Sequence, residues 1–360
     1  MSTLVILAVF LALLFVQGFL ASHFGLRCFH YSRRFSTRTA TEGDTVILTE
    51  VIRNKKPLFL PWLRIESNIS PYLHFASDEE HDVRFDRFHK SVFTLPAFSQ
   101  ITRKNRVRLD HRGHYVLNQV SVSTGDLLGT MLVSEERSAP AEIYVYPKLL
   151  PAEDFPLPST RYQGDVSVRR FIIDDPFLVN GIRAYRDGDP VRDIHWAATA
   201  RVGALQVKTH DFTADPKLMV ILNCQRTEKQ WGELMDYEQG DIERGISLAA
   251  SLCMRALRNG AEAGFASNMP LDDSTQCAYL APVGGAGAAD LILSAMASLR
   301  IKRLRRFPAF LEEMQRLHGM DVVIISCYTS PDIERHMEAL RRAGNAVTLY
   351  LLEGGAEQHG

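Results

Sequence analysis

The chain has 360 residues, 46% hydrophobic, 23% charged and 9% aromatic, a globular composition that excludes wholesale disorder, collagen and a polytopic channel. That length implies two or three globular units. Lysine and arginine total 41 against 42 for aspartate and glutamate, so no global field draws the chain to nucleic acid.

From Thr3 to Ala21 the chain reads TLVILAVFLALLFVQGFLA, without a charge. About 20 helical residues at 1.5 Å each cover a hydrocarbon layer of roughly 30 Å, so residues 1–26 are expected to form a single transmembrane anchor. A cleaved signal peptide would want a basic start, and the first Lys or Arg here is Arg27. Arg27, Arg33, Arg34 and Arg38 follow the apolar run. Basic flanks stay cytoplasmic, which places the N-terminus outside and residues 27–360 in the cytoplasm. Cys28, Cys224, Cys253, Cys277 and Cys327 contain no CxxC pair and read as free thiols, neither a disulfide framework nor a zinc site.

Residues 27–150 read as an Ig-like β-sandwich of about seven strands. Alternating segments recur at 45–53, 62–67, 90–95, 101–109, 115–123 and 142–147, with turn signals at Gly43, Asn54, Pro71, Arg112-Gly113 and Gly125-Asp126. His111 and His114 are expected to be solvated loop histidines. Pro147, Pro151, Pro156 and Pro158 mark an extended linker over 151–180.

A signature segment, 181–215, is dense in Arg, Asp, His and Trp. Asp189 is placed to N-cap a helix that starts at Pro190, runs to about Arg201 and ends at Gly203. On it Arg192 and Trp196 are i,i+4 neighbours able to stack, and Asp189, Arg183 and Arg201 can share charges around the turn. A strand follows at ALQVKTH, 204–210.

Residues 216–360 alternate strands with helices: strands at 217–223, 262–267, 275–281, 321–326 and 346–352, and helices at 238–259, 287–299, 307–318 and 331–343. That alternation predicts a doubly wound, Rossmann-type α/β sheet. The whole is thus an α+β multidomain chain. The basic run Arg300, Lys302, Arg303, Arg305, Arg306 reads as a solvated helix end, with no aromatic platform for nucleic acid.

The run Tyr185, Gly188, Asp189, Arg192, Ile194, His195, Trp196, Thr199, Ala200, Arg201 closely resembles the signature of the domain of unknown function 58 family. The upstream HRGHYVLNQVSVSTGDLLG is similar to that family's sandwich region, although Gly125-Asp126-Leu127-Leu128-Gly129 departs from its Asp-Pro-Phe-Gly turn. The resemblance implies a bacterial membrane-anchored protein with a C-terminal von Willebrand factor A-like domain. It further implies a MoxR-type AAA+ ATPase as partner and a transglutaminase-like membrane protein as a possible second one. The von Willebrand factor A-like fold often holds a divalent metal on Asp-x-Ser-x-Ser after its first strand. Asn223, Gln225 and Thr227 stand at those positions, with Arg226 between, so a degenerate, metal-free site is expected because a hard cation needs anionic oxygen.

No GxSxG, HExxH or Walker-type sequence occurs. His195 reads as structural rather than catalytic, and no cofactor is expected. The preferred function is a non-enzymatic adaptor or scaffold on the inner membrane. Its interaction residues would be Arg183, Tyr185, Gly188, Asp189, Arg192, His195, Trp196, Thr199 and Arg201. The alternative is a hydrolytic or ligand-activated enzyme using Asp189, Arg192 and His195.

Overall fold

The computed structural model describes residues 2–75, 88–129, 131–151, 174–185, 194–212, 217–230, 234–235, 239–272 and 274–352. It is mixed α/β, with several sheets in more than one domain. The chain divides into two units: Met1–Lys148 with Leu293–Leu299, and Leu149–Ile292 with Arg300–Gly360.

The first unit begins with α1 (Ser2–Phe24). Among the described residues no helix is long and apolar enough to cross a membrane, so the structure does not support the transmembrane anchor expected over residues 1–26. Nine strands follow among the described residues: β1 (Phe29–Phe35), β2 (Thr39–Thr41), β3 (Thr45–Asn54), β4 (Leu60–Asn68), β5 (Leu73–Phe75), β6 (Phe88–Leu95), β7 (Gln100–Leu109), β8 (Gly113–Gly125) and β9 (Leu132–Tyr146). They form two sheets, ordered β1-β3-β7-β5 and β2-β9-β8-β4-β6. Strand residues alternate between core and solvent, because successive side chains leave opposite faces of a pleated strand. Two apolar clusters fill the space between the sheets, and each draws on both. Ile52 and Phe29 meet Leu63 and Val122 in one, while Leu48 and Val107 meet Ile143 and Leu117 in the other.

A polar pair occupies the core face of the first sheet. Arg33 and Glu50 are cross-strand partners on β1 and β3, and both are buried. Arg33 donates to the Ala139 and Gln119 carbonyls at 2.8 and 3.1 Å and to Ser67 Oγ at 2.8 Å. Gln119 flanks the register shift between β8 and β9, so the guanidinium satisfies carbonyls beside the irregularity. Glu50 accepts from Tyr31 Oη at 2.5 Å and Asn105 Nδ2 at 2.8 Å. Burial and the Glu50 carboxylate push the Tyr31 phenol well above its ordinary range. Arg33 therefore serves the core, although the sequence placed it among the charges that orient an anchor.

The Arg112-Gly113 turn is built around the following tyrosine. Tyr115 Oη donates to the His111 carbonyl at 2.8 Å, and a Cβ on Gly113 would sit 2.9 Å from the Tyr115 ring. Arg112 is buried and donates to the carbonyls of Met296 and Leu299, at 3.1 and 3.0 Å, in the segment that groups with this unit. His114 is not a solvated loop residue. It lies on β8 and stacks on Tyr144 with ring centres 4.1 Å apart.

The second unit contains a two-stranded ribbon, β10 (Asp174–Ala184) with β11 (Gln206–Phe212), and a five-stranded sheet. β10 starts inside the stretch expected to be linker. The sheet order is β14 (Cys277–Val283), β13 (Glu262–Pro270), β12 (Lys217–Leu222), β15 (Asp321–Ser326) and β16 (Ala346–Leu351). Pairing is parallel throughout except for antiparallel β14 at the edge. Successive residues of β12 face opposite layers. Met219 and Ile221 pack under Phe307 and Phe310 of α5 (Phe307–Glu313) and Ile333 and Met337 of α6 (Pro331–Arg342). Leu222 lies on the other side, against Gly245 of α3 (Gln239–Arg258). Helices thus cover both faces, the doubly wound arrangement that the alternation of strands and helices predicts. α4 (Ala288–Ala297) is two residues shorter at its C-terminal end than expected, and α5 passes into a 3₁₀ turn at Met314–Arg316.

Candidate functional site

In a doubly wound sheet, ligands sit outside the carboxyl ends of the strands, where the strand order reverses. Here that point lies between β12 and β15. The chain leaves β12 through Asn223, Cys224 and Gln225, and leaves β15 through Cys327 and Tyr328. Asn223, Ser326, Ser267 and Asn268 are all fully buried there.

These groups are bonded to one another. Asn223 Nδ2 donates to Ser326 Oγ at 3.0 Å, and Asn223 Oδ1 accepts the Gln225 amide at 3.0 Å. Asn268 Oδ1 accepts the Cys224 amide at 2.9 Å, and its Nδ2 donates to the Arg305 carbonyl at 3.2 Å. Gln225 Oε1 accepts the amide of Phe307, at the start of α5, at 2.8 Å. Ser326 Oγ donates to the Tyr328 carbonyl at 2.6 Å. A buried amide or hydroxyl left unpaired costs about 1–3 kcal/mol, so each of these bonds is worth keeping.

The donor set does not fit a divalent metal. Asn223 supplies a neutral amide oxygen that already accepts a backbone N–H, Gln225 is committed to α5, and Thr227 sits on the exposed turn beyond. Hard cations require charged or freely oriented oxygens. Among the described residues no group of three or more His, Cys, Asp or Glu could hold a metal ion.

Cations border the network. Arg226 pairs with Asp241 at 3.0 Å, and Arg303 donates to the Gln230 carbonyl. The basic run 300–306 is a connector that leads into α5, not the end of a helix, so the helix dipole does not favour its charges. Burial pushes the Cys224 thiol up to about 12 against the pull of Arg303, and Cys327 to about 11. Thiols in that range are poor nucleophiles at neutral pH.

The signature segment folds around β10 and β11. Arg183 sits on β10 opposite Val207, and the Tyr185 amide donates to the Leu205 carbonyl at 2.9 Å. Gly188, Asp189 and Arg192 lie outside the described residues, as does the expected Asp189 cap. The helix expected from Pro190 is shorter: α2 spans Trp196–Val202. Ile194 instead bridges Val207, and the His195 amide donates to the Gln206 carbonyl at 2.8 Å, so the backbone there is extended. His195 is the N-cap, its Nδ1 accepting the Ala198 amide at 3.1 Å. Thr199 Oγ1 accepts the Gln206 amide at 3.0 Å. Gly203 ends the helix at φ 74°, as expected. Trp196 is 66% exposed, and Arg201 is also exposed.

The sequence reading missed Asn268, Ser326 and Gln230. A signal was present in the first two: Ser267-Asn268 interrupts an apolar strand, and Ser326 closes the apolar run DVVIIS.

Residues 181–354 match the family described as "Protein of unknown function DUF58". The chain is 25% identical over 261 residues to YeaD, an uncharacterised protein of Bacillus subtilis (strain 168). That match spans 72% of this chain and 60% of the relative. About a third of the chain resembles solved β-domains at low TM-scores. One is the PapD-like domain 7 of human CEP192, 14% identical with TM-score 0.23, covering 33% of this chain and 86% of that one. Another is a non-cellulosomal cohesin from Archaeoglobus fulgidus, 11% identical with TM-score 0.23, covering 32% and 90%. Scores this low carry no functional argument. The match over 181–354 and the YeaD relative support a DUF58 family protein.

Proposed function

We propose that this protein is a non-enzymatic adaptor held on the inner face of a bacterial cytoplasmic membrane, with an Ig-like sandwich and a von Willebrand factor A-like α/β domain. The α/β domain binds a protein partner, a MoxR-type AAA+ ATPase; a transglutaminase-like membrane protein is the second candidate. The supporting observation is the buried network of Asn223, Gln225, Asn268 and Ser326, in which neutral groups fill the usual ligand crevice and bond to one another. His195 likewise spends its imidazole on a helix cap. Among its described residues the signature segment presents Trp196 and Arg201 outward, residue types that dominate binding energy at protein interfaces.

The membrane part of the reading draws on α1. Its 23 residues contain no Asp, Glu, Lys or Arg. Leu4, Phe15 and other apolar side chains along it are exposed.

A crosslinking pull-down of the full-length protein from its native membrane tests the proposal. Enrichment of a MoxR-type ATPase, lost in a folded Trp196→Ala/Arg201→Ala variant, is the expected result. Recovery of exported proteins alone would overturn the topology. Substrate turnover that depends on His195 would replace the adaptor with an enzyme.

A further inference from the structure

Three connections at one end of the sandwich share a property that its fold does not need. β1 enters there at Phe29, paired with Asn54 at the end of β3. Leu60 at the start of β4 pairs with Leu95 at the end of β6, and Gly125 at the end of β8 pairs with Leu132 at the start of β9. The connections 55–59, 96–99 and 126–131 therefore emerge together, at the end where α1 joins.

Those connections display large apolar side chains to solvent. Phe59, Phe98, Leu127, Leu128, Met131 and Leu132 are all exposed, Phe98 by 71%. Isolated exposed apolar residues need no explanation, whereas a set gathered at one end marks an interaction surface.

The loop tips are fixed in shape. Asp126 is buried, and its Oδ1 accepts the Met131 amide at 2.9 Å. Trp62 Nε1 donates to the Asp126 carbonyl at 3.0 Å. Gly129 turns the tip at φ 68°. Leu127 and Leu128 are thus presented by a pinned hairpin rather than left on a slack loop.

α1 is bolted to the same end. Lys56 donates to the carbonyls of Gly25 and Arg27, the latter at 3.0 Å. Arg137 donates to those of Leu26 and Phe29 at 2.8 and 2.6 Å. A Cβ placed on Gly18 would lie 3.5 Å from the Met131 side chain. Gly18 stands six residues before the end of α1 at Phe24, about 9 Å along the axis. That is the depth at which apolar groups of surface-bound proteins enter the boundary between headgroups and acyl chains, about 5–10 Å. Arg27 and Lys55 are exposed at this end, where cations meet anionic headgroups.

We infer that this end of the sandwich is a membrane-seating rim: Phe59, Phe98, Leu127, Leu128, Met131 and Leu132 insert into the lipid interface beside α1, with Arg27 and Lys55 at the headgroups. The inference rests on the reading of α1 as an anchor. It adds that the sandwich docks on the bilayer in one fixed orientation instead of swinging on a tether.

The test uses full-length protein in vesicles of phosphatidylglycerol and phosphatidylcholine, with a tryptophan added as Leu128→Trp or, at the opposite end, Tyr72→Trp, and its signal read as the difference from wild type, which carries Trp62, Trp196 and Trp231. Flotation through alkaline carbonate reads the anchor separately from the rim. The expected result is flotation of both variants, with the Leu128→Trp emission blue-shifted and quenched by lipids brominated near the headgroup, and the Tyr72→Trp emission unchanged. Flotation without quenching of Leu128→Trp overturns the rim and leaves the anchor standing. Equal quenching of both variants overturns the fixed orientation. Self-association that shields Leu128→Trp without lipid assigns the rim to a second copy and overturns the inference. Loss of flotation removes the anchor and the rim together.

Discussion

Asn223 Nδ2 donates to Ser326 Oγ at 3.0 Å across 103 residues of sequence, tying together the two strands between which the strand order reverses. The amide acts as both donor and acceptor, a combination that a carboxylate cannot supply.

Asn223→Asp is therefore expected to destabilise the α/β unit by about 3 kcal/mol at neutral pH, since it buries an unpaired charge and removes a donor. Burial raises the folded pKa of such an aspartate above its unfolded value. Its cost should fall as pH is lowered and the carboxyl protonates, which denaturant melts at pH 5 and pH 8 would show. Millimolar Mg²⁺ is expected to leave the wild-type midpoint unchanged, and a clear upward shift would contradict the metal-free reading.

The buried thiols give a second pH dependence. Cys253 and Cys224 are pushed up to about 12 by burial, from a usual value of 9.0. The folded pKa exceeds the unfolded one, so stability is complete below pH 9 and declines as pH rises from about 9 towards 12. Comparing wild type with Cys253→Ala between pH 8 and 10 isolates the effect. The wild type should lose stability more steeply than the variant over that interval.

His195 caps α2 through Nδ1. His195→Ala should cost about 1 kcal/mol locally, while Asn at this position retains a cap acceptor. Hydrogen exchange at the Ala198 amide is expected to accelerate in the alanine variant and not in the asparagine variant. Any substrate turnover by the wild type should persist in His195→Asn, an outcome a catalytic imidazole would not allow.

Gly264 lies on β13 between its neighbours. A Cβ there would stand 2.8 Å from the Leu280 carbonyl oxygen, 2.8 Å from the Pro282 nitrogen and 3.0 Å from Met219 Cε. Two of these atoms are backbone and cannot step aside. Gly264→Ala should cost about 2–3 kcal/mol through overpacking, read as a lowered midpoint with an unchanged m-value.

Much of the architecture was legible because its signals are local. The spacing of Ile242, Ile246, Ala249 and Cys253 marks α3, and the apolar runs KLMVIL and DVVIIS mark β12 and β15. Gly203 ends α2 where a residue of positive φ is needed. Ile194 and His195 were read as helical, and they are extended instead. Their pairing with β11 holds them out of the helix, which begins at Trp196. Residues 174–180 of β10 were taken for linker since their strand character comes from pairing with β11 and not from alternation.

The sequence by itself determined the charge-free apolar segment at the N-terminus and the alternation that builds two kinds of sheet. These follow from composition and from periods of two and 3.6 residues, which neighbouring positions carry. Only the tertiary structure decided that Asn223, Asn268 and Ser326 converge, that Arg33 and Glu50 share the core face of one sheet, and that Phe59, Phe98 and Leu128 emerge at the end where α1 joins. Those relationships depend on strand register and on the order in which the strands pair, and both are set by burial of the whole apolar face rather than by any stretch of a few residues.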